Sequence, residues 1–179
     1  TGMFALVVVL SVMNGFNTSI RERNFSVEPH LVIYLDGARE DSVKQVEEWL
    51  KKNKINYDFV DTQDVILRTE SGFVHGAVAQ GVSQKTLNQI VEGNRRRQNR
   101  PIDGLSEFKL LPQQVLVGMG LGDSMGLFEM DRLVVIAPES LLGGKESLPV
   151  YETIKVKDFL RTDLDSIDGQ KFYYIRGQS

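Results

Sequence analysis

The sequence predicts an α+β fold, and three observations carry that expectation. Residues 30–79 alternate strand-like and helix-like patterns in the order strand, helix, strand, strand. From Pro112 the texture turns mostly β, with short β-branched runs set apart by Gly and Pro. Ahead of both stands a run from Ala5 to Phe16 that is apolar on every face. A small α/β layer followed by a β-rich part is an α+β arrangement, and the all-apolar run belongs to a large core or to lipid.

Length and composition bound the rest. The 179 residues are 41% hydrophobic with a net charge of −3, which fits one or two small folded domains and no disordered chain. The slightly acidic balance argues against a nucleic-acid binder, which needs a basic face. There is no cysteine, hence no disulfide, thiol nucleophile or thiolate metal site. With His30 and His75 as the only histidines, no multi-histidine metal centre is expected.

In chain order, Thr1 to Asn14 as a helix is about 21 Å long, short of the ~30 Å hydrocarbon core of a bilayer. Residues 1–20 are therefore expected to be the outer end of a first transmembrane helix that has lost its other half. The β-branched Val7-Val8-Val9 also admits a buried strand. A signal-peptide core fits less well, because the charged leader and small-residue cleavage site are missing. His30 to Leu35 reads as a strand after Pro29, ended by the turn Asp36-Gly37. Asp41 offers an N-cap for a helix to about Asn53, with Val43, Val46, Trp49 and Leu50 as its buried stripe. Tyr57 to Val60, Val65 to Thr69 and Phe73 to Ala79 read as strands, the last two joined by a hairpin turn at Glu70-Ser-Gly72. Ser83 caps a short helix over Thr86 to Val91 that Gly93 is expected to stop. The arginines of Asn94 to Arg100 then form a solvated loop. Strands follow at Val115–Val117, Arg132–Ala137, Thr153–Phe159 and Lys171–Ile175, with a Gly-rich short helix at Gly118–Met125 and a loop over Pro138–Pro149. No internal repeat is visible.

Several motifs look chemical and are discounted. Gly122-Asp-Ser-Met-Gly126 matches the G-x-S-x-G elbow of a serine hydrolase using Ser124, but no histidine follows it and a strand resumes five residues on. Val115 to Gly122 resembles a dinucleotide loop, yet Asp123 stands where the third glycine belongs and would repel a pyrophosphate. Gly143-Gly-Lys-Glu146 lacks the first glycine and the Ser or Thr of a phosphate loop. Asp163, Asp165 and Asp168 have a spacing that is far more often a solvated turn than a calcium site. No catalytic, cofactor-binding or metal residue is assigned.

Three stretches together resemble one family. Leu10-Ser-Val-Met-Asn-Gly-Phe16 is similar to the end of the first transmembrane helix in lipoprotein-releasing ABC transporter permeases of the LolC/LolE type. Val115 to Pro138 resembles that family's strand, short helix and Gly-Asp turn, with Met130 in place of the turn glycine. Ile154 to Ile175 resembles the return strands.

The resemblance implies a MacB-like extracytoplasmic domain, with a porter-like α/β part at 26–110 and a sabre-like β-rich part at 111–179 that Ser179 cuts short. It implies a non-catalytic permease subunit of the bacterial inner membrane with this domain in the periplasm. ATP is hydrolysed on a separate cytoplasmic ATPase, and a second permease subunit, the same or a sister, completes the transporter. The cargo is a lipoprotein passed to a periplasmic carrier. On this footing Val9, Met13 and Phe16, on one helical face, meet lipid or cargo, where flexible Met13 suits varied acyl chains. Pro138–Pro149 takes the place of the hook that grips the carrier, with Leu141 and Leu142 as its apolar anchor and Pro149 as its stiffener. A MacB-like efflux or signalling permease, contacting an adaptor or a cell-wall hydrolase, shares the same pattern.

Overall fold

The computed structural model describes residues 3, 7–13, 31–35, 37–97, 108–138, 151–162 and 164–177. It is mixed α+β, and its contacts divide it into two units, Thr1–Asn56 and Tyr57–Ser179.

In the first unit, residues 7–13 are helical (α1) and exposed, so the β-branched valines there do not make a strand. Among the described residues no helix is long and apolar enough to cross a membrane. Residues 31–35, expected as a strand, are coil, with Leu31, Val32, Ile33 and Tyr34 all exposed. An apolar run becomes a strand only when a neighbour takes its N–H and C=O groups, and no described residue pairs with this one. Helix α2 spans Glu40–Lys52, its start two residues ahead of the one expected from an Asp41 cap. Its N-cap is Arg39, without a side-chain cap, and Asp41 sits in the acidic first turn, where it meets the positive end of the helix dipole. The expected buried stripe is only half-buried at Val43, Val46 and Leu50, and Trp49 is 59% exposed. Trp49 lies about 100° round the helix from Leu50 and so leaves the stripe.

The second unit is a closed six-stranded barrel in the order β1-β2-β6-β3-β5-β4. The strands are β1 Asp61–Thr69, β2 Val74–Val82, β3 Gln114–Gly118, β4 Arg132–Ile136, β5 Tyr151–Leu160 and β6 Lys171–Ile175. Helices α3 (Gln84–Arg97), α4 (Met119–Met125) and α5 (Asp165–Asp168) interrupt them. Tyr57 to Val60, expected as a strand, stays outside the ladder, which opens at Asp61 opposite Gly81. The β1–β2 hairpin turns at Gly72, whose φ of +88° glycine adopts without strain.

The order β-β-α-β occurs twice, as β1-β2-α3-β3 and β4-β5-α5-β6. Exchanging the halves maps the ring onto itself. Antiparallel β1–β2 falls on β4–β5, and parallel β2–β6 falls on β5–β3. The antiparallel pairs β1–β4 and β3–β6 lie between the halves. This internal twofold is a property of pairing alone, which is why the residues show no repeat.

Alternate residues of each strand point inward. Val65, Leu67, Ala77, Ala79, Val115, Val117, Leu133, Ile154, Val156 and Phe172 share one core with Leu121 and Met125 of α4 and with Leu127. Each large side chain taken from water here contributes about 1.5–3 kcal/mol. Helix α4 thus closes the end of the barrel at which β3 finishes.

Helix α3 begins as expected, with the Ser83 hydroxyl accepting from Thr86 N–H at 3.2 Å. It then runs through Gly93 to Arg97, so Gly93 does not stop it and Arg95 is helical and not in a loop. A single helical glycine costs only about 1 kcal/mol, and the helix buries Leu87, Ile90 and Val91.

The Asp58 carboxylate reinforces that start by accepting from Ser83 Oγ at 2.6 Å and from the Thr86 hydroxyl. Partial burial pushes the Asp58 carboxyl up, but the bonds from Ser83, Thr86 and the Phe59 N–H outweigh it and hold it below the ordinary value of 3.8. A carboxyl depressed on folding stabilises the native state fully above its unfolded pKa, and that contribution fades as pH falls through the folded one. Thermal unfolding followed between about pH 5 and pH 3 is therefore expected to show a shallower acid loss in Asp58→Asn than in the parent. The difference will be modest because the group is mostly exposed. Parallel curves would remove Asp58 from the acid response.

Candidate functional site

The end of the barrel opposite α4 stays open. Here β1, β3 and β5 begin and β2, β4 and β6 finish. The opening is a cleft of about 220 Å³. Its floor is apolar, formed by Val65, Ala79, Val135, Ile154 and Phe172, and its rim carries Gln63, Gln114, Glu152 and Tyr174.

One side is built by the turn at 111–114. Gln114 N–H donates to Leu111 C=O at 2.9 Å, while the Gln114 side-chain carbonyl accepts from Leu111 N–H at 3.0 Å. Gln113 takes φ +64° and its carbonyl accepts from Lys155 N–H at 2.8 Å, which ties the turn to β5.

The opposite side depends on small residues. Tyr174 lies over Gly81, its register partner across parallel β2–β6, and a Cβ at Gly81 would stand 2.7 Å from the ring. Burial pushes the Tyr174 hydroxyl above its ordinary value of 10.0; the carboxylates of Asp61 and Glu152 add to this and Arg176 offsets part of it. The Arg176 guanidinium carbon lies 5.4 Å from the centre of the Phe59 ring, a cation–π arrangement.

The glycine motif at the closed end has a packing cause. A Cβ on Gly118 would stand 2.4 Å from the Asp168 carbonyl oxygen, one on Gly120 3.2 Å from it, and one on Gly122 2.4 Å from the Phe159 ring. The backbone and ring of the protein itself fill the space a pyrophosphate would need. Ser124 sits near the end of α4, not at a strand-to-helix elbow, and its hydroxyl donates to Leu121 C=O at 2.9 Å. That geometry does not support a nucleophile. Asp168 is engaged by Thr162, and among the described residues no group of acids and histidines is placed to hold a metal.

Of the residues singled out in the sequence, Val9 and Met13 lie on helical residues 7–13 and are 57% and 56% exposed. Phe16, Leu141, Leu142 and Pro149 fall outside the described residues. The strands on either side of the Pro138–Pro149 segment, β4 and β5, are among the described residues. The last β4–β5 pair, Ile136 with Tyr151, stands beside Val135 and Glu152 at the cleft. Met130, which replaces the glycine expected in that turn from the resemblance, adopts the left-handed φ of +74°. The sequence pattern did not single out the rim residues Gln63, Glu152 and Tyr174, nor Asp61 beside them. The available signal was a polar residue at an inward position: Asp61 and Gln63 precede Val65 and Leu67 in phase, and Glu152 precedes Ile154.

The architecture is that of a small closed-barrel module, plugged at one end and open at a ligand-sized mouth. The chain is similar to the lipoprotein-releasing system transmembrane protein LolC of Neisseria meningitidis serogroup B, 27% identical over 173 residues. The match covers 93% of this chain and 40% of that relative, so the chain spans less than half of the relative's length. No family model matches.

Proposed function

We propose that this chain is the extracytoplasmic portion, with the adjoining end of a transmembrane helix, of a lipoprotein-releasing ABC permease. The observation that carries this is the similarity to LolC along 93% of the chain. In this reading the domain is MacB-like, with a porter-like part (26–110) and a sabre-like part (111–179), and the barrel draws strands from both ranges. The permease sits in the bacterial inner membrane with this domain in the periplasm and pairs with a like or sister subunit. A cytoplasmic ATPase supplies the energy. Val9, Met13 and Phe16 offer an apolar surface to the acyl chains of the lipoprotein, each buried CH₂ being worth about 0.8 kcal/mol. The Pro138–Pro149 segment, which joins β4 to β5 along the chain, presents Leu141 and Leu142 to a periplasmic carrier.

A photo-crosslinker at Leu142 in the full-length protein in cells tests this. Capture of a small periplasmic lipoprotein carrier is the expected result. Capture of an adaptor or a cell-wall hydrolase would instead move the protein to the efflux or signalling branch of the same architecture. Membrane-inserted protein that captures nothing would retire the hook.

A further inference from the structure

The inward-facing rows of the barrel change character at the open mouth. On β1 the sequence of inward positions runs Leu67, Val65, Gln63, Asp61, and on β5 it runs Val156, Ile154, Glu152. Both rows are apolar in depth and end on a carboxylate at the rim. Asp61 pairs with Gly81, and Tyr174 lies over Gly81, so the phenol stands beside one of these carboxylates; the other, Glu152, also acts on it. Among the described residues, the cation that acts on the same phenol, Arg176, is stacked on Phe59. The cleft volume of about 220 Å³ is below the ~300–1,000 Å³ of drug-sized pockets, so the group it takes is small.

We propose that the barrel mouth binds an aliphatic ammonium group, its alkyl stem on Val65, Val135 and Ile154 and its cationic head at Glu152 and the Tyr174 hydroxyl, with Asp61 adding its charge from across Gly81. The chemistry selects this class. A carboxylate or phosphate at the same place would meet two acids of like charge. A neutral alcohol of equal length would gain the apolar contact without the Coulomb attraction. A four-carbon stem capped by a compact ammonium buries its methylenes along an apolar wall and keeps its charge at the rim. The proposal stands on the barrel alone and is independent of the transporter assignment.

The test uses the full 179-residue chain with carbon-13 methyl labels, titrated at neutral pH with n-butylammonium, n-butanol and n-butyrate. The expected result is saturable movement of the Val65, Val135 and Ile154 methyl signals with butylammonium. It should be weakened about tenfold in the double variant Asp61→Asn, Glu152→Gln, as the loss of two partly exposed ion pairs implies. The affinity of butanol should not change between parent and variant. Both substitutions are at exposed positions, and an unchanged methyl spectrum without ligand verifies the fold. Nα-acetyl-lysine methylamide distinguishes the sources: binding equal to butylammonium assigns the site to a lysine side chain of a docked protein, and binding of the free amine only assigns it to a small amine. Either supports the proposal. Butanol or butyrate binding as tightly as butylammonium, no saturable shift at these methyls, or undiminished binding by the double variant would overturn it.

Discussion

Gly118→Ala is expected to destabilise the barrel by about 3 kcal/mol, near the top of the usual range for forcing one methyl into a filled site. The cause is steric. Gly118 has φ −60° and ψ 137°, an ordinary extended backbone that alanine adopts freely. The new Cβ would lie 2.4 Å from the Asp168 carbonyl oxygen and 2.8 Å from that of Ile167. Both atoms belong to the backbone at the end of α5, so no flexible side chain can swing aside. Against a total stability of about 5–15 kcal/mol, such a loss is large and easily read in urea unfolding. Gly126→Ala is the control. Gly126 is left-handed at φ +63° with nothing within 4 Å of its would-be Cβ, so its cost is conformational only, about 1 kcal/mol. If Gly118→Ala costs no more than Gly126→Ala, the 167–169 backbone gives way, and the packing account of the glycine motif fails.

Asp168→Ala should cost about 2–4 kcal/mol. Asp168 is 9% exposed and Thr162 1%. The carboxylate accepts from Thr162 N–H at 2.8 and 2.9 Å and from the Thr162 hydroxyl at 2.8 Å. Removing it takes the acceptor from two buried donors, each carrying a penalty of about 1–3 kcal/mol. Thr162→Val should cost less, because the backbone N–H keeps its partner. What it loses is the hydroxyl's bond to Asp168 and its acceptance of Leu164 N–H at 3.2 Å. The same residue that receives these bonds presents its carbonyl to Gly118, so the two sites share one joint. Combined with Gly118→Ala, Asp168→Ala is therefore expected to be non-additive. Strict additivity in chemical denaturation would show that the α5 turn holds its place without Asp168.

Local features were legible in the residues because their causes are local. The Gly72 hairpin, the Ser83 cap and the strands at Val115, Arg132 and Lys171 follow from turn chemistry and short-range alternation. Where the pattern failed, a distant partner decided. His30 to Leu35 has the composition of a strand, but its described residues, 31–35, are coil with no pairing neighbour, and Trp49 sits at helical spacing yet is exposed. Helix α3 outruns Gly93 because the residues it buries outweigh one unfavourable position. The glycines at 118, 120 and 122 suggested a ligand loop, and only the placement of Asp168 and Phe159 explains them.

The sequence by itself determined the α+β class, the Gly72 hairpin turn and the Ser83 cap, and a resemblance strong enough to anticipate the similarity to LolC. Tertiary structure alone decided that β1 and β2 join the later strands in one ring, that the ring has an internal twofold, and that one end stays open. The pairs that close it, Val78 with Lys171 and Thr69 with Leu133, lie far apart along the chain. Side-chain periodicity reports which face of a strand is buried, not which strand lies beside it. The acid rim of the mouth emerges only when Asp61, Glu152 and Tyr174, from three separate strands, come together at the same end of the barrel.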